Sequence, residues 1–289
     1  MLNNYIVAAV TPFKNNKLDI KSFEKYMYRL IGQGGISGIV VCGSTGESLS
    51  MSIHEKVELI KTASKINDGR VKVLAGVIDP ITSNCLELIK KTEEFVDGFL
   101  CICPFYIKPS QEQIYSHFKI LSENTARDIV LYNNPGRVGT SIVLDTLKRL
   151  CELNNVVAIK ECAADLSRFL WRSLVKNGFS FLSGNDDCAC SAIAMGAHGI
   201  VSVSANIAPD LCVKMYNAFK TNNIERFELL RDTLTPLHEL MFMEPSPAPV
   251  KYALSKLGLI SDELRLPLSQ ISDALRDKID SYMKKIGLI

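Results

Sequence analysis

The chain has 289 residues, 47% of them hydrophobic and 22% charged, and its 33 basic and 31 acidic side chains leave a net charge of +2. That balance, without basic runs, argues against a nucleic acid or an anionic membrane surface as partner. No stretch approaches 18 consecutive apolar residues, so no membrane span is expected. The length suits one large domain. Residues 1–4 lack the basic start of a signal peptide, which points to the cytoplasm. Nine cysteines are scattered and odd in number, with no C-x-x-C. The four histidines do not join them at metal-ligand spacing, so free, buried thiols in a reducing compartment and no metal are expected.

In chain order, residues 6–10 open as a strand that stops at Thr11-Pro12, and Asp19 caps a helical pattern through Phe23, Tyr26, Met27 and Leu30. Gly34-Gly35 closes it. Residues 36–42 form a second strand that delivers Gly43-Ser44-Thr45-Gly46-Glu47. Ser52 to Glu55 has the form of a capping box. Residues 71–78 read as a third strand and 81–95 as its helix; 98–103 as a fourth strand, ending at Pro104-Phe105-Tyr106. Ser110 caps a helix to Glu123. Residues 129–132 are strand five, followed by Asn133-Asn134-Pro135-Gly136-Arg137. Residues 156–160 are strand six and 165–176 its helix. Residues 179–182 are strand seven, ending in Ser183-Gly184-Asn185-Asp186, and 199–203 strand eight, before a helix opened by Pro209. Eight strand–helix units spaced by roughly 25 residues predict a (β/α)8 TIM barrel over residues 1–222. Helical patterns at 223–243, 247–257 and 268–286 then make a C-terminal helical region, 223–289. Its joint, residues 244–249, reads as a stiff proline-rich linker.

Strand six runs Val156-Val157-Ala158-Ile159 straight into Lys160, the pattern of a strand buried on both faces that ends at a site. Active sites of such barrels sit at the C-terminal strand ends. Burial there disfavours the ammonium, so the Lys160 pKa is expected to fall, freeing an amine for Schiff-base chemistry. Gly43 to Gly46 lacks the lysine and length of a phosphate-binding loop. Its backbone N–H groups suit a carboxylate, or it is a plain tight turn. Tyr132 and Tyr106 end two strands, and Arg137 is either a solvated charge or a bidentate carboxylate clamp. Taken together, the amine, two phenols, two hydroxyls, backbone anion site and arginine suit condensation of a 2-oxo acid with an aldehyde. No cofactor is required.

Five pieces carry a resemblance: Gly43-Ser-Thr-Gly-Glu47, Pro104-Phe-Tyr-Ile-Lys-Pro-Ser110, Tyr132-Asn-Asn-Pro-Gly-Arg-Val-Gly139, Ile159-Lys-Glu161 and Ser183-Gly-Asn-Asp186. From the first strand through the C-terminal helices the chain resembles the dihydrodipicolinate synthase / N-acetylneuraminate lyase family of pyruvate-dependent class I aldolases. The resemblance implies that Lys160 takes pyruvate as a Schiff base and that Tyr132 shuttles protons. It places Ser44 and Tyr106 in a hydroxyl relay, the tyrosine reaching in from a neighbouring subunit. Thr45 and the backbone of Val201 would contact pyruvate. A homotetramer built from tight dimers is implied.

Arg137 and the Pro-Phe-Tyr-x-Lys-Pro-Ser stretch resemble the synthase branch, in which the second substrate is L-aspartate 4-semialdehyde and the product feeds lysine and diaminopimelate synthesis. Ser44 stands where synthases usually carry threonine, and Ser246 where they carry asparagine. The alternatives are an N-acetylneuraminate lyase or related 2-oxo-acid aldolase, and a non-catalytic paralogue that binds a 2-oxo acid. Lysine-inhibited synthases carry His, His, Asn and Glu where this chain has Ile53, Lys56, Pro80 and Asn84. Weak or absent inhibition by lysine is therefore expected.

Overall fold

The structure is a computed structural model that describes residues 2–33 and 35–289, so the helix stop expected at Gly34 lies outside the described residues. Among them, eight strands form a closed barrel: β1 Asn4–Ala8, β2 Gly38–Val41, β3 Lys72–Val77, β4 Gly98–Ile102, β5 Asp128–Asn133, β6 Val156–Glu161, β7 Ser180–Ser183 and β8 Gly199–Ser202. Each pairs in parallel with the next, and β8 closes on β1 through Asn4 to Val7 against Gly199 to Ser202. The strands are near-continuous runs of Val, Ile, Leu and Ala because helices cover the outside and side chains fill the inside, leaving neither face to water. No helix among the described residues is long and apolar enough to cross a membrane.

The helices are α1 Ile20–Gln33, α2 Ile53–Asn67, α3 Thr82–Thr92, α4 Gln111–Glu123, α5 Pro135–Val138, α6 Leu144–Cys151, α7 Ala189–Ala194, α8 Pro209–Lys220, α9 Ile224–Leu240, α10 Ala248–Lys256 and α11 Asp273–Lys285. Sequence and structure agree closely at the caps. Ser52 and Ser110 both form reciprocal capping boxes, with Glu55 and Gln113. The segment after β6 departs from expectation: Leu166–Ser173 is a 3-10 helix, opened by the Asp165 carboxylate accepting from the Ser167 N–H. The tighter winding goes with Arg168 and Phe169 both turning inward to be buried.

Strand β2 is followed by Cys42 at φ 58, a left-handed conformation for a non-glycine residue. It is accommodated because a Cβ at residue 76, on β3, would sit 2.4 Å from the Cys42 carbonyl oxygen, and residue 76 is glycine. The chain thereby turns sharply into the 43–47 loop. At the C-terminal end, α9 packs on α8, and α11 packs on α9 and α10. Residues 244–249 differ from the stiff linker expected. Pro247, Ala248 and Pro249 are buried, and Ser246 faces the barrel mouth. A spacer would be solvated; this joint is packed.

Candidate active site

The site is set by one rung of the barrel. Ile102, Tyr132, Lys160 and Leu182 are register partners on β4, β5, β6 and β7, so the lysine and the phenol stand at the same height on adjacent strands. Lys160 is 7% exposed, and its Nζ lies 4.3 Å from the centroid of the Tyr132 ring. Among the described residues it makes no ion pair with a carboxylate. Room for its stem comes from Gly184, just past β7. A Cβ there would lie 2.6 Å from Lys160 Cε and 2.1 Å from Cys162 Sγ. The glycine of Ser183-Gly184-Asn185-Asp186 is thus a steric requirement of Lys160 and Cys162 on the neighbouring strand, and only the folded barrel reveals it.

The expected fall of the Lys160 pKa is not what the structure gives. Burial presses the ammonium toward neutrality, as anticipated, and Arg137 adds to that; yet Tyr132, Cys162 and Asp186 together outweigh them and the value is raised. The sequence argument counted burial and missed these neighbours. The Cys162 thiol beside it is pushed up to about 11, chiefly by burial, with the Lys160 charge opposing.

Arg137 sits on the single-turn helix α5, whose cap is the Asn134 side chain: Oδ1 accepts from the Arg137 N–H at 3.2 Å. The same carboxamide donates from Nδ2 to the Tyr132 hydroxyl at 3.1 Å. Below this turn lies a buried network. Glu161 accepts from Arg168 Nε at 2.8 Å and from Asn133 Nδ2 at 2.7 Å, and Arg168 also donates to the Ile142 carbonyl. A guanidinium satisfied on two sides anchors the 133–142 loop to the strand that carries Lys160.

On the opposite wall, Gly46, Glu47 and Ser48 close their N–H groups onto the Gly43 and Ser44 carbonyls. Among the described residues the N–H groups of Ser44 and Thr45 donate to nothing within the chain, so they are free for an anion. Glu47 is clamped by Lys251 Nζ at 2.6 Å and by the Arg265 N–H at 3.0 Å, which ties α10 and the strap before α11 to this loop. Ser44 is half-buried and Thr45 buried. Val201 is buried in β8, paired with Ile6.

A cavity of about 410 Å³ opens above the rung, its wall including Ser44, Phe105, Arg137, Ser246, Arg265 and Leu266. Tyr106 stands apart from all of these. Its side chain is 91% exposed on the β4–α4 loop, with φ at 73, and it makes no hydrogen bond among the described residues. Within one chain, then, Lys160, Tyr132 and Arg137 are brought together, Ser44 shares a cavity wall with Arg137, Thr45 is buried next to it in the chain, and Tyr106 points outward. Sequence reasoning overlooked Asn134, Cys162, Gly184, Arg168 and Lys251. The first three lay inside or next to quoted motifs, so signal was present without a role attached.

Comparison with known proteins agrees over the full length. The model of the Dihydrodipicolinate synthetase family matches residues 1–286. The chain is 40% identical, over the whole of both sequences, to the 4-hydroxy-tetrahydrodipicolinate synthase of Parvibaculum lavamentivorans. To that of Rickettsia typhi it is 36% identical, over 98% of this chain and 97% of the relative. Among solved structures, the dihydrodipicolinate synthase of Thermotoga maritima superposes with a TM-score of 0.96 at 35% identity, covering both chains fully. The chloride-inhibited enzyme of Acinetobacter baumannii, solved with pyruvate, gives 0.95 at 34% identity, again over both whole chains.

Proposed function

The chain belongs to the dihydrodipicolinate synthetase family, and from that premise we propose how its residues condense pyruvate with L-aspartate 4-semialdehyde to 4-hydroxy-tetrahydrodipicolinate. The neutral Lys160 amine attacks the pyruvate keto carbon, and loss of water gives the protonated Schiff base. Tyr132 gives its proton to the departing hydroxyl as that water leaves, and the phenolate then takes a proton from the pyruvate methyl group, leaving an enamine whose carbon attacks the aldehyde. The alkoxide formed regains a proton through the phenol. The amine of the former semialdehyde closes on the imine carbon and displaces Lys160, which restores the enzyme. Arg137 holds the second substrate's carboxylate in this reading, and the free N–H groups of Ser44 and Thr45 take that of pyruvate.

The observation that carries the reading is a lysine buried at the C-terminal rung, 4.3 Å above a phenol and, among the described residues, paired with no carboxylate. A structural lysine so placed would leave its charge uncompensated. Tyr106 completes the relay from a second copy, in a homotetramer of tight dimers. That part is supported by a bulky residue held at positive φ on an exposed loop, with Ile107 and Leu49 also exposed. Cytoplasmic residence fits nine free cysteines. Weak or absent lysine inhibition belongs to the same reading. Ile53, Lys56 and Asn84 line a separate cavity of about 280 Å³ together with Asp79 and Glu87, so the reading rests on the residues that replace the inhibited synthases' set and not on the charge of the cavity.

The test is pyruvate consumption by the purified protein with aspartate semialdehyde, with Lys160→Ala as control. Rapid consumption lost in the variant supports the assignment, and a fully active Lys160→Ala chain sinks it. No consumption, with a pyruvate adduct still trapped by borohydride, would mean an aldolase with another aldehyde partner. A lysine titration in the same assay should leave the rate nearly unchanged.

A further inference from the structure

In the stretch Tyr132-Asn133-Asn134-Pro135-Gly136-Arg137, the tyrosine and the arginine were assigned roles and residue 134 none. The structure gives it two contacts. The Tyr132 hydroxyl belongs to a side chain that is almost wholly buried, and among the described residues its single hydrogen bond comes from Asn134 Nδ2, at 3.1 Å. On its other side the Asn134 Oδ1 accepts from the Arg137 backbone N–H at 3.2 Å. That N–H can only donate, so it fixes which end of the carboxamide faces which neighbour: the oxygen toward Arg137, the amino group toward the phenol.

We propose that Asn134 is a positioning residue. One carboxamide holds the Tyr132 oxygen and the Arg137 turn together, so that the proton shuttle and the carboxylate clamp are set by a single side chain. This rests on the reading of Tyr132 and Arg137 given above. A phenol oxygen has two lone pairs and one hydrogen. Accepting from Asn134 occupies one lone pair on the loop side and leaves the O–H free to swing toward the lysine. When the oxygen gains negative charge as it hands its proton on, the same N–H becomes a hydrogen bond to an anion, which is stronger than one to a neutral group. The contact therefore helps the proton-transfer step more than it helps pyruvate to bind. An apolar residue at 134 would leave a buried hydroxyl with no partner on that side and the Arg137 turn without its cap.

The experiment separates these roles by omitting the aldehyde. Enzyme-catalysed exchange of the pyruvate methyl protons is followed by NMR in D2O, and the pyruvate adduct is quantified separately by borohydride trapping. Asn134→Ser keeps an oxygen that can cap the Arg137 N–H but is one atom too short to reach the phenol. Its exchange rate should fall about tenfold, with trapped adduct near the wild-type amount. Asn134→Gln, which retains the amino donor on a longer stem, should recover part of the rate; it also serves if the serine variant folds poorly in a thermal melt. Against a Tyr132→Phe background the serine substitution should cost nothing further, because the oxygen it acts through is gone. Unchanged exchange in Asn134→Ser overturns the proposal. So does an equal proportional loss of exchange and adduct, or the same loss with and without the Tyr132 hydroxyl. If the wild-type chain traps no pyruvate at all, the Schiff-base reading fails, and this inference with it.

Discussion

Two lysines are buried at the same end of this barrel, and they differ in what stands beside them. Lys251, on α10, is 0% exposed; its Nζ is 2.6 Å from the Glu47 carboxylate and 4.5 Å from the Phe13 ring centroid. Lys160 is nearly as buried but faces a phenol, a thiol and the Arg137 charge. Burial alone would nominate both as reactive amines. The direction of the pKa would nominate the wrong one: burial lowers that of Lys251 even against Glu47, whereas Lys160, with burial opposing, ends up raised. What separates them is the permanence of the neighbouring charge. Glu47 accepts from Lys251 in a dry pocket, and its carboxylate would be stranded without that proton. Cys162 attracts the Lys160 ammonium only as a thiolate, and the thiol ionises at about 11. Asp186 is already bound by Ser202 and by the Val203 and Ser204 N–H groups. Near neutrality burial and Arg137 favour the free amine, and the Asp186 carboxylate, whose oxygens are taken by their own donors, opposes them.

The sharpest way to break this contrast is to delete each lysine in turn. Lys160→Ala should lose pyruvate turnover by roughly a thousandfold or more while its melting temperature stays close to wild type, since no partner charge is left behind. Lys251→Met should do the reverse. It strands the Glu47 carboxylate and should lower stability by about 3–5 kcal/mol in denaturant titration, yet still yield some borohydride-trapped adduct where it remains folded. Adding Glu47→Leu should restore part of that stability, because removing both partners of a buried pair costs less than removing one. Equal losses of stability in the two single variants would erase the distinction. A smaller effect comes from the room Lys160 needs. Gly184→Ala should lose about a hundredfold in turnover, because its methyl group, 2.1 Å from Cys162 Sγ and 2.6 Å from Lys160 Cε, must push both side chains aside and move the amine off its place. Adduct forming at the wild-type rate would show that the stem has slack.

The contrast also marks how far the sequence could be read. Lys160 was legible because an apolar strand pattern runs into it, and local pattern is what a strand end provides. Lys251 was not legible, since its partner lies 204 residues away and nothing near Tyr252 or Val250 hints at an ion pair. The barrel itself was visible in the recurrence of strand and turn, and Ser52, Ser110 and Asp19 fixed helix starts because capping is decided within three residues. The 3-10 winding of residues 166–173 escaped because it accompanies the burial of Arg168 against Glu161, a contact made across the β6 turn. Gly184 stood in a quoted motif, but its reason is the Lys160 stem on another strand. Tyr106 shows the same limit from outside: its exposure and backbone conformation are plain only in the fold.

The smallest expected effect concerns the strap that shares Glu47 with Lys251. Arg265 donates its N–H to Glu47 and its guanidinium to Glu55, which is itself the partner of Ser52 in the α2 capping box. The Arg265 hydrogen bond, against some burial, brings the Glu55 carboxyl down to about 2 from an ordinary 4.5. A carboxylate with a depressed folded value binds fewer protons in the native chain than in the unfolded one, so its contribution is complete above about pH 4.5 and is lost as the pH falls toward 2. Because the Glu55 side chain is a quarter exposed, solvent screening limits that contribution to about 1 kcal/mol. Glu55→Gln should therefore lower stability slightly at neutral pH and flatten its decline between pH 4.5 and 2. Thermal melts across that window check it. Parallel curves for the two chains would mean that the strap is held by Lys251 and Glu47 alone, and that the fully buried pair, not the partly solvated one, fastens the C-terminal helices to the loop that carries Ser44 and Thr45.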